Sequence, residues 1–237
     1  LLALVGPSGS GKSSWLAALG GMVEPAKGVV RLGAAPDREP HELSSPELAK
    51  AVAWVPQWAS ATLLAGSVRE ELLLTSTAIG LDPDLAAGRA ETLLDAMGLR
   101  EVADLDPRLL SGGEQRRLAV AAAVLHQPSL VLADEPTVGQ DRLTWAAVMG
   151  VLESIQRAGS GIVVTTHDGG VTAEATRILA VRKPETKVKL KGKKGAKATK
   201  AAKTTKTAKV TEAEFAGAAP AEGASPRAAE GTGATEG

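Results

Sequence analysis

The first nineteen residues, LLALVGPSGSGKSSWLAAL, contain the pattern that most constrains the fold. A short apolar run, residues 1–5, precedes a glycine-rich loop that matches G-x-x-x-x-G-K-[ST] over residues 6–13, and a helical pattern follows. Glycines let such a loop turn its backbone N–H groups towards a bound anion, and the helix dipole adds positive potential there. The sequence therefore predicts an α/β fold with a phosphate-binding loop after its first strand.

The residues that end the loop indicate a nucleotide with its metal ion. Lys12 is placed to reach the β- and γ-phosphates, and Ser13 is placed to ligate Mg²⁺. A loop of this kind does not by itself distinguish kinases, GTPases and motor ATPases. The predicted nucleotide-binding residues here are Gly6, Ser8, Gly9, Ser10, Gly11, Lys12, Ser13 and Ser14.

Composition narrows the class of protein. The 237 residues include no Cys, which excludes a disulfide framework and a thiolate metal site. No apolar run approaches the roughly 20 residues that a membrane-spanning helix needs, and no signal peptide precedes the loop. We therefore expect a cytoplasmic protein that associates with membranes only through partners.

The formal net charge of zero hides a change of composition along the chain. Residues 182–209 contain twelve Lys and Arg residues against one Glu, and residues 210–237 contain five Glu against one Arg. A segment of Lys, Ala, Thr and Gly cannot bury enough apolar surface to offset the entropy of ordering. We predict a folded domain over residues 1–181 and a disordered tail over 182–237, which serves as a linker or as a basic arm for nucleic acid or anionic lipid.

Strand and helix patterns alternate through the predicted domain. Strands are expected at 28–33, 51–56, 129–134 and 160–167, and helices over 66–108 and 141–159. Another short helix should be capped by Ser45, with Pro46 in its first position. These patterns predict a mostly parallel sheet with a helical insertion, about residues 59–125.

The insertion ends in LLSGGEQRRLAVAAAVL, residues 109–125. Ser111, Gly112 and Gly113 stand at the start of a long helix, which makes a second helix terminus suited to an anion. One phosphate rarely needs two such sites in one chain. The pattern favours a dimer in which the second site of each chain closes on the nucleotide of its partner.

This segment resembles the LSGGQ signature of ABC-transporter ATPases, with Glu114 at the usual glutamine position and Gln115 beside it. The resemblance covers residues 1 to about 181. It implies a P-loop NTPase fold with a mostly parallel sheet, an antiparallel β subdomain that is incomplete here, and a helical signature subdomain. It also implies an ATPase that converts ATP and water to ADP and phosphate, with ATP and Mg²⁺ bound between two such domains.

Further motifs follow in the order that the family has. LVLADEP, residues 130–136, is an apolar strand that ends in Asp134 and Glu135, where Asp134 would hold Mg²⁺ and Glu135 would orient and deprotonate the attacking water. By resemblance, Gln57 is the Q-loop glutamine that senses Mg²⁺ or the water. His167 is the switch histidine that contacts the γ-phosphate, and Asp141 is the D-loop aspartate. The resemblance thus implies catalytic residues Glu135, His167 and Gln57, and metal-binding residues Ser13, Gln57 and Asp134.

Two tryptophans and two arginines outside these motifs are expected to have structural roles. Trp145 lies on an apolar helix face and is expected in the core, whereas Trp58 either packs against a partner's helix or packs within the domain. Arg116 and Arg117 are expected on a solvated face or in an interdomain salt bridge.

The segment SVREELLL and the run DEPTVGQDR are similar to ATPases of energy-coupling factor importers. The resemblance implies a second ABC ATPase domain and a transmembrane subunit as partners, with the protein on the inner face of the cell membrane, and import of a vitamin or metal ion. The alternative is a non-transport ABC ATPase linked to translation or nucleic acid through the basic tail, although nucleic acid is not the expected partner. Because Leu1 already stands in the loop strand, we also expect two strands of the family, and the aromatic residue that stacks on adenine, to be missing. This predicts an N-terminal truncation: either an incomplete gene product or the second half of a longer polypeptide with paired ATPase domains.

Overall fold

The computed structural model describes residues 1–183, so the predicted tail lies outside the described residues from Pro184 onwards. Five strands form one sheet in the order β2-β3-β4-β1-β5, and every neighbouring pair is parallel. The strands are β1 (Leu2–Val5), β2 (Val52–Val55), β3 (Leu130–Asp134), β4 (Gly161–Thr165) and β5 (Arg177–Ala180).

Helices connect these strands and cover the sheet. They are α1 (Lys12–Leu19), α2 (Ser45–Ala51), α3 (Val68–Ala78), α4 (Pro83–Ala96), α5 (Gly112–Val124), α6 (Arg142–Arg157) and α7 (Gly169–Glu174). Short 3-10 turns lie at Pro40–Glu42, Ala59–Thr62, Arg100–Val102 and Pro107–Leu109. Within residues 1–183, no helix combines the length and the apolar character that crossing a membrane requires.

The apolar strands are buried on both faces of the sheet. Side chains of β3 alternate between two clusters: Val131 and Ala133 join the larger cluster, whereas Leu132 packs with Leu16 of α1 in the smaller one. A parallel sheet with helices on both faces needs such continuous apolar strands, because each side of the strand meets a helix layer. The α/β prediction is confirmed.

Most predicted elements are present. The strands expected at 51–56, 129–134 and 160–167 are β2, β3 and β4, and the expected helical region contains α3 and α4. The short helix α2 is present, but its N-cap is Ser44 rather than Ser45, because Glu47 stands three residues after Ser44 and closes a capping box with it. Pro46 consequently takes the second helical position.

The prediction of a strand at 28–33 is wrong. In the described part of the chain this segment has a single isolated bridge, from Leu32 to Ala35, and no paired strand beside it. Gly28 has a φ of 88°, which turns the chain just before the apolar residues, and the N–H of Val30 donates to the Glu39 carboxylate at 3.4 Å. A side chain therefore takes the hydrogen bond that a neighbouring strand would have supplied.

A buried histidine gives the fold a pH-dependent stability. His126 follows α5, and burial, with a smaller contribution from the Arg89 cation, lowers its pKa below the usual 6.5 against an opposing effect of the Ala49 backbone. The unfolded chain therefore binds a proton at His126 more readily than the folded chain. We expect the free energy of unfolding to fall as the pH drops from about 6.5 towards 5.

Urea unfolding at several pH values, with wild type beside His126→Gln, measures this effect. The variant should lose most of the pH dependence in that range. An unchanged slope in His126→Gln would contradict the assignment.

Candidate active site

Four predicted motifs meet at one edge of the sheet. Gly6 follows β1, Gln57 lies two residues after β2, Glu135 follows β3 and His167 lies two residues after β4. Because all the strands are parallel, these residues stand at the carboxyl ends of neighbouring strands, which is where ligands bind in open α/β sheets. The topology alone therefore gathers motifs that lie more than 100 residues apart in sequence.

The loop from β1 into α1 has the backbone that its glycines allow. Gly11 caps α1 with a φ of 104°, a left-handed conformation that other residues rarely adopt. A Cβ atom at Gly6 would lie 2.3 Å from the carbonyl oxygen of Val181. Neither glycine can be replaced without moving the backbone of the loop.

The start of α1 fits a polyphosphate. No side chain caps the helix, and its first turn contains no acidic residue, so its N–H groups are left for an anion. The Ser10 hydroxyl is buried without a hydrogen-bond partner, and the Lys12 ammonium donates to the carbonyl oxygens of Gly6 at 2.9 Å and Pro7 at 3.4 Å. The Lys12 ammonium thus donates to carbonyl oxygens of its own loop. A phosphate oxygen could take the place of these carbonyls as its acceptor.

Two acidic residues, Asp134 at the end of β3 and Glu135 directly after it, are hydrogen-bonded to Thr165 of β4. The Thr165 hydroxyl donates to Asp134 and accepts the N–H of Glu135 at 3.1 Å. Glu135 has a φ of 51°, a left-handed conformation that costs a non-glycine residue about 1–2 kcal/mol. The Thr165 contacts hold the backbone in this turn, and the carboxylate of Glu135 is thereby aimed at the edge of the sheet.

The structure brings two of the predicted catalytic residues into contact. Nδ1 of His167 lies 2.8 Å from Oε1 of Glu135. The histidine side chain is 68% exposed and the glutamate side chain 11% exposed. A carboxylate that is mostly buried is therefore held by an imidazole that remains open to a ligand.

Sequence reasoning missed the hydrogen-bonded aspartate that follows this histidine. Asp168 accepts hydrogen bonds from the indole N–H of Trp145 at 2.9 Å and from the Thr137 hydroxyl at 3.1 Å, and it caps α7 through the N–H of Gly170. Burial raises the pKa of Asp168, but these hydrogen bonds together outweigh it and lower the pKa. Trp145 is thus half-buried and hydrogen-bonded rather than wholly a core residue. The available signal was the aspartate at a strand end, a residue type that favours helix N-caps.

The signature segment caps the start of its own helix, α5. Ser111 caps α5, and the Glu114 carboxylate accepts the Ser111 hydroxyl at 2.7 Å and its N–H at 2.8 Å. These hydrogen bonds, the hydroxyl first, lower the pKa of Glu114. Within residues 1–183, the hydrogen bonds of Ser111 are to Glu114 and Gln115 of its own helix, so the structure does not join it to the loop of Lys12.

The predicted D-loop aspartate is linked to the signature helix. Asp141 caps α6 by accepting the N–H groups of Leu143 and Thr144, and it also accepts the Thr144 hydroxyl at 3.0 Å. That hydroxyl in turn accepts Arg117 of α5 at 2.7 Å. The start of α6 is therefore fastened to α5 within one chain.

Gln57 and its neighbours occupy the end of the sheet nearest α5. Gln57 is half-buried, and its backbone carbonyl accepts a hydrogen bond from Arg116. The expectation that Arg116 lies on a solvated face is wrong, because only 6% of this residue is exposed. Trp58 is 72% exposed, so it does not pack within the described domain.

A metal ion at this edge would need a mixed set of oxygen donors. Within the described residues, no group of three or more His, Cys, Asp or Glu side chains is arranged to hold a metal ion. Asp134 nevertheless ends β3 at the same edge of the sheet as the loop of Ser13. A carboxylate, a hydroxyl and phosphate oxygens are the donors that Mg²⁺ prefers at nucleotide sites. The donor set fits Mg²⁺ bound together with a nucleotide and not alone.

Comparisons with known proteins agree with this arrangement. The sequence model of the ABC transporter family matches residues 1–138. A Pyrococcus horikoshii protein named as an ABC transporter ATP-binding protein is 33% identical over 187 residues, which is 78% of this chain and 71% of that protein. The cobalt import ATP-binding protein CbiO of Rhodobacter capsulatus is 35% identical over 168 residues, which is 70% of this chain and 59% of that protein.

The fold is also that of solved ATP-binding cassettes. The dimeric post-hydrolysis structure of the cassette MJ0796 bound to ADP and Pi has a TM-score of 0.67 and 29% identity, over 76% of this chain and 80% of that one. Its P-loop NTPase fold matches the parallel sheet and helices described above. The chain therefore belongs to the ABC transporter family, as an ATP-binding subunit that hydrolyses ATP.

Proposed function

We propose that this chain works as one half of a dimer that binds two ATP molecules and drives import through a transmembrane subunit. The observation that carries the proposal is the contact between Glu135 and His167. It lies at the same edge of the sheet as the phosphate-binding loop. Lys12 and the loop N–H groups would hold the phosphates, with Ser8, Ser10 and Ser14 lining the loop. Ser13, Asp134 and Gln57 would hold Mg²⁺, which when bound neutralises phosphate charge during hydrolysis.

Hydrolysis at this site needs a base and a group near the γ-phosphate. Glu135 would accept a proton from the attacking water, because its carboxylate is fixed by the turn at the end of β3. His167 would orient that carboxylate through Nδ1 and present its exposed face to the γ-phosphate. Asp168 would hold His167 in place through the α7 cap.

The second half of each site would come from a partner chain. Ser111, Gly112 and Gly113 are separate from the phosphate-binding loop of the same chain, and Ser111 and Gly112 are exposed. In a head-to-tail dimer they would close on the partner's ATP, with Asp141 near the interface. The dimeric form of the cassette MJ0796 supports this assembly.

The transmembrane partner would dock beside Gln57. Trp58 and Leu64 are 72% and 78% exposed and lie on either side of the 3-10 turn Ala59–Thr62. Large apolar side chains so exposed are typical of a protein interface. Such docking would place the protein on the inner face of the membrane.

The importer class is the finer part of the proposal. It rests on the segment at residues 67–74 and on similarity to the cobalt importer CbiO. A macrolide export ATP-binding/permease protein of Aeromonas hydrophila, MacB 1, is also 35% identical, and this chain spans 28% of it. We propose the ATPase subunit of a vitamin or metal-ion importer, with residues 59–125 as its helical unit.

ATPase activity of the purified full chain tests the dimer proposal. Because each site needs two chains, turnover per chain should rise with protein concentration until the dimer saturates. Lys12→Ala should abolish that turnover. Turnover per chain that is independent of concentration in the monomer range would contradict the shared site.

A further inference from the structure

The segment that joins β2 to α3, residues 56–65, is held at both ends by buried charged side chains. We call it the linking segment. It contains Gln57, the 3-10 turn Ala59–Thr62 and the exposed Trp58 and Leu64. What fixes this segment therefore also fixes the proposed metal-sensing glutamine and the proposed docking surface.

Arg116 holds the first end. Its Nη1 donates to the carbonyl oxygen of Pro56 at 2.8 Å, and its Nη2 donates to that of Gln57. Burial lowers the pKa of this guanidinium, and its Nε is buried without a hydrogen-bond partner. Within residues 1–183, the hydrogen bonds of this buried cation go to carbonyl oxygens, and burying a charge without an opposite charge costs free energy. The planar guanidinium has N–H groups fixed in a fork, which suits two adjacent carbonyls better than an ammonium does.

Glu71 holds the second end. It lies on α3, is 7% exposed, and its Oε2 accepts the N–H groups of Leu64 at 2.8 Å and Ala65 at 2.7 Å. Charge-assisted hydrogen bonds of this length are among the stronger ones in proteins. The two ends are thus held by opposite charges on two different helices.

These two helices form one packed unit. Leu72 of α3 and Leu118 of α5 are fully buried in the same core cluster, and the helices pack on each other. The strand before the linking segment belongs instead to the sheet, where Val55 pairs with Ala133. The strand pairing of β2 therefore ends at Val55, and the carbonyls that Arg116 holds begin at the next residue.

We propose that Arg116 and Glu71 are positioning residues that fasten the linking segment to α5 and α3. Gln57 then moves with Ser111, which caps the same helix that carries Arg116. The carboxylate and the guanidinium do not touch ATP. This inference rests on the proposed function, because in that function Gln57 holds Mg²⁺ and must therefore be correctly positioned.

Amide hydrogen exchange of the full chain tests the attachment without reference to activity. Arg116→Lys keeps the charge but loses the fork, and we expect exchange in residues 57–66 to accelerate at least about tenfold. Glu71→Gln should accelerate the same peptide. Exchange in β3 should not change in either variant.

Arg117→Lys is the matched control, because Arg117 is the next residue of α5 and donates to Thr144 rather than to the linking segment. It should leave residues 57–66 protected. Unchanged exchange of this peptide in Arg116→Lys, or equal acceleration across the whole chain, would overturn the proposal.

Nucleotide binding tests the consequence for Gln57. The ratio of ATP dissociation constants without and with Mg²⁺ is measured for Gln57→Ala, Arg116→Lys and the double variant. Arg116→Lys should reduce the ratio as Gln57→Ala does, the double variant should reduce it no further, and binding without Mg²⁺ should be unchanged.

The outcomes separate the inference from the function on which it rests. If Gln57→Ala reduces the ratio but Arg116→Lys does not, or if the two effects add, Arg116 does not act through Gln57. If Gln57→Ala leaves the ratio unchanged, the metal role of Gln57 is wrong, and hydrogen exchange alone decides the attachment.

Discussion

Glu135→Gln is expected to lower the ATP hydrolysis rate by about 10²- to 10⁴-fold, which is the usual contribution of a general base. Glutamine keeps the shape of the side chain and an oxygen that can accept from Nδ1 of His167, so the fold and the contact should survive. ATP binding should also survive, because Glu135 lies outside the phosphate-binding loop. The variant should therefore collect as an ATP-bound dimer.

Single-turnover hydrolysis and the molecular mass in solution with ATP measure the two parts of this result. Glu174→Gln is the control, since it makes the same chemical change at an exposed position of α7. Turnover of Glu135→Gln close to wild type would exclude Glu135 as the base. Loss of ATP binding in the same variant would instead indicate a disturbed β3 turn.

Lys12→Ala is expected to weaken ATP binding about 10- to 150-fold, the equivalent of roughly 1.5–3 kcal/mol for a hydrogen bond to a charged group. In the structure Lys12 donates to the carbonyl oxygens of Gly6 and Pro7, so its loss also leaves those acceptors without their partner. The loop should then become easier to open, in addition to losing its contact with phosphate.

Equilibrium binding of a fluorescent ATP analogue measures the change in affinity. Lys50→Ala, at an exposed position of α2, removes the same charge far from the loop in sequence and serves as the control. Equal affinity of Lys12→Ala and wild type would show that the loop amides alone hold the phosphates.

The site was predictable where chemistry requires particular residues at a particular spacing. The loop of Lys12 and the strand that ends in Asp134 and Glu135 have few alternative explanations once both occur in one chain. A parallel sheet then places His167 beside them, because β4 is the neighbour of β3. Local pattern and topology agree at these positions, so the sequence was sufficient to place these residues at one edge of the sheet.

Elements whose existence depends on a neighbour were not predictable in the same way. Residues 28–33 have the composition of a strand, yet Val30 bonds to a side chain because no strand lies beside it in residues 1–183. The reverse holds for β5, which has a short and mostly exposed sequence but pairs with β1 along its whole length. Pairing, rather than β propensity, decided both segments.

Buried polar contacts were the other gap. The burial of Arg116 depends on the carbonyls of Pro56 and Gln57, about 60 residues earlier, and nothing in the local pattern of α5 indicates them. The partner of Asp168 is likewise 23 residues away, at Trp145. Side chains whose partners lie on another element take their role from the tertiary fold.

The strand order has a consequence for synthesis of the protein on the ribosome. Among the five strands of the described residues, β1 is made before the others, and its two neighbours are made after β2 and β3: Leu4 pairs with Thr165 on one side and with Leu179 on the other. A nascent chain that ends before residue 161 therefore carries an apolar strand with neither partner available, and contacts so distant in sequence form slowly. We expect the growing chain to need shielding from aggregation until β4 and β5 emerge, and to gain the ability to bind ATP only then.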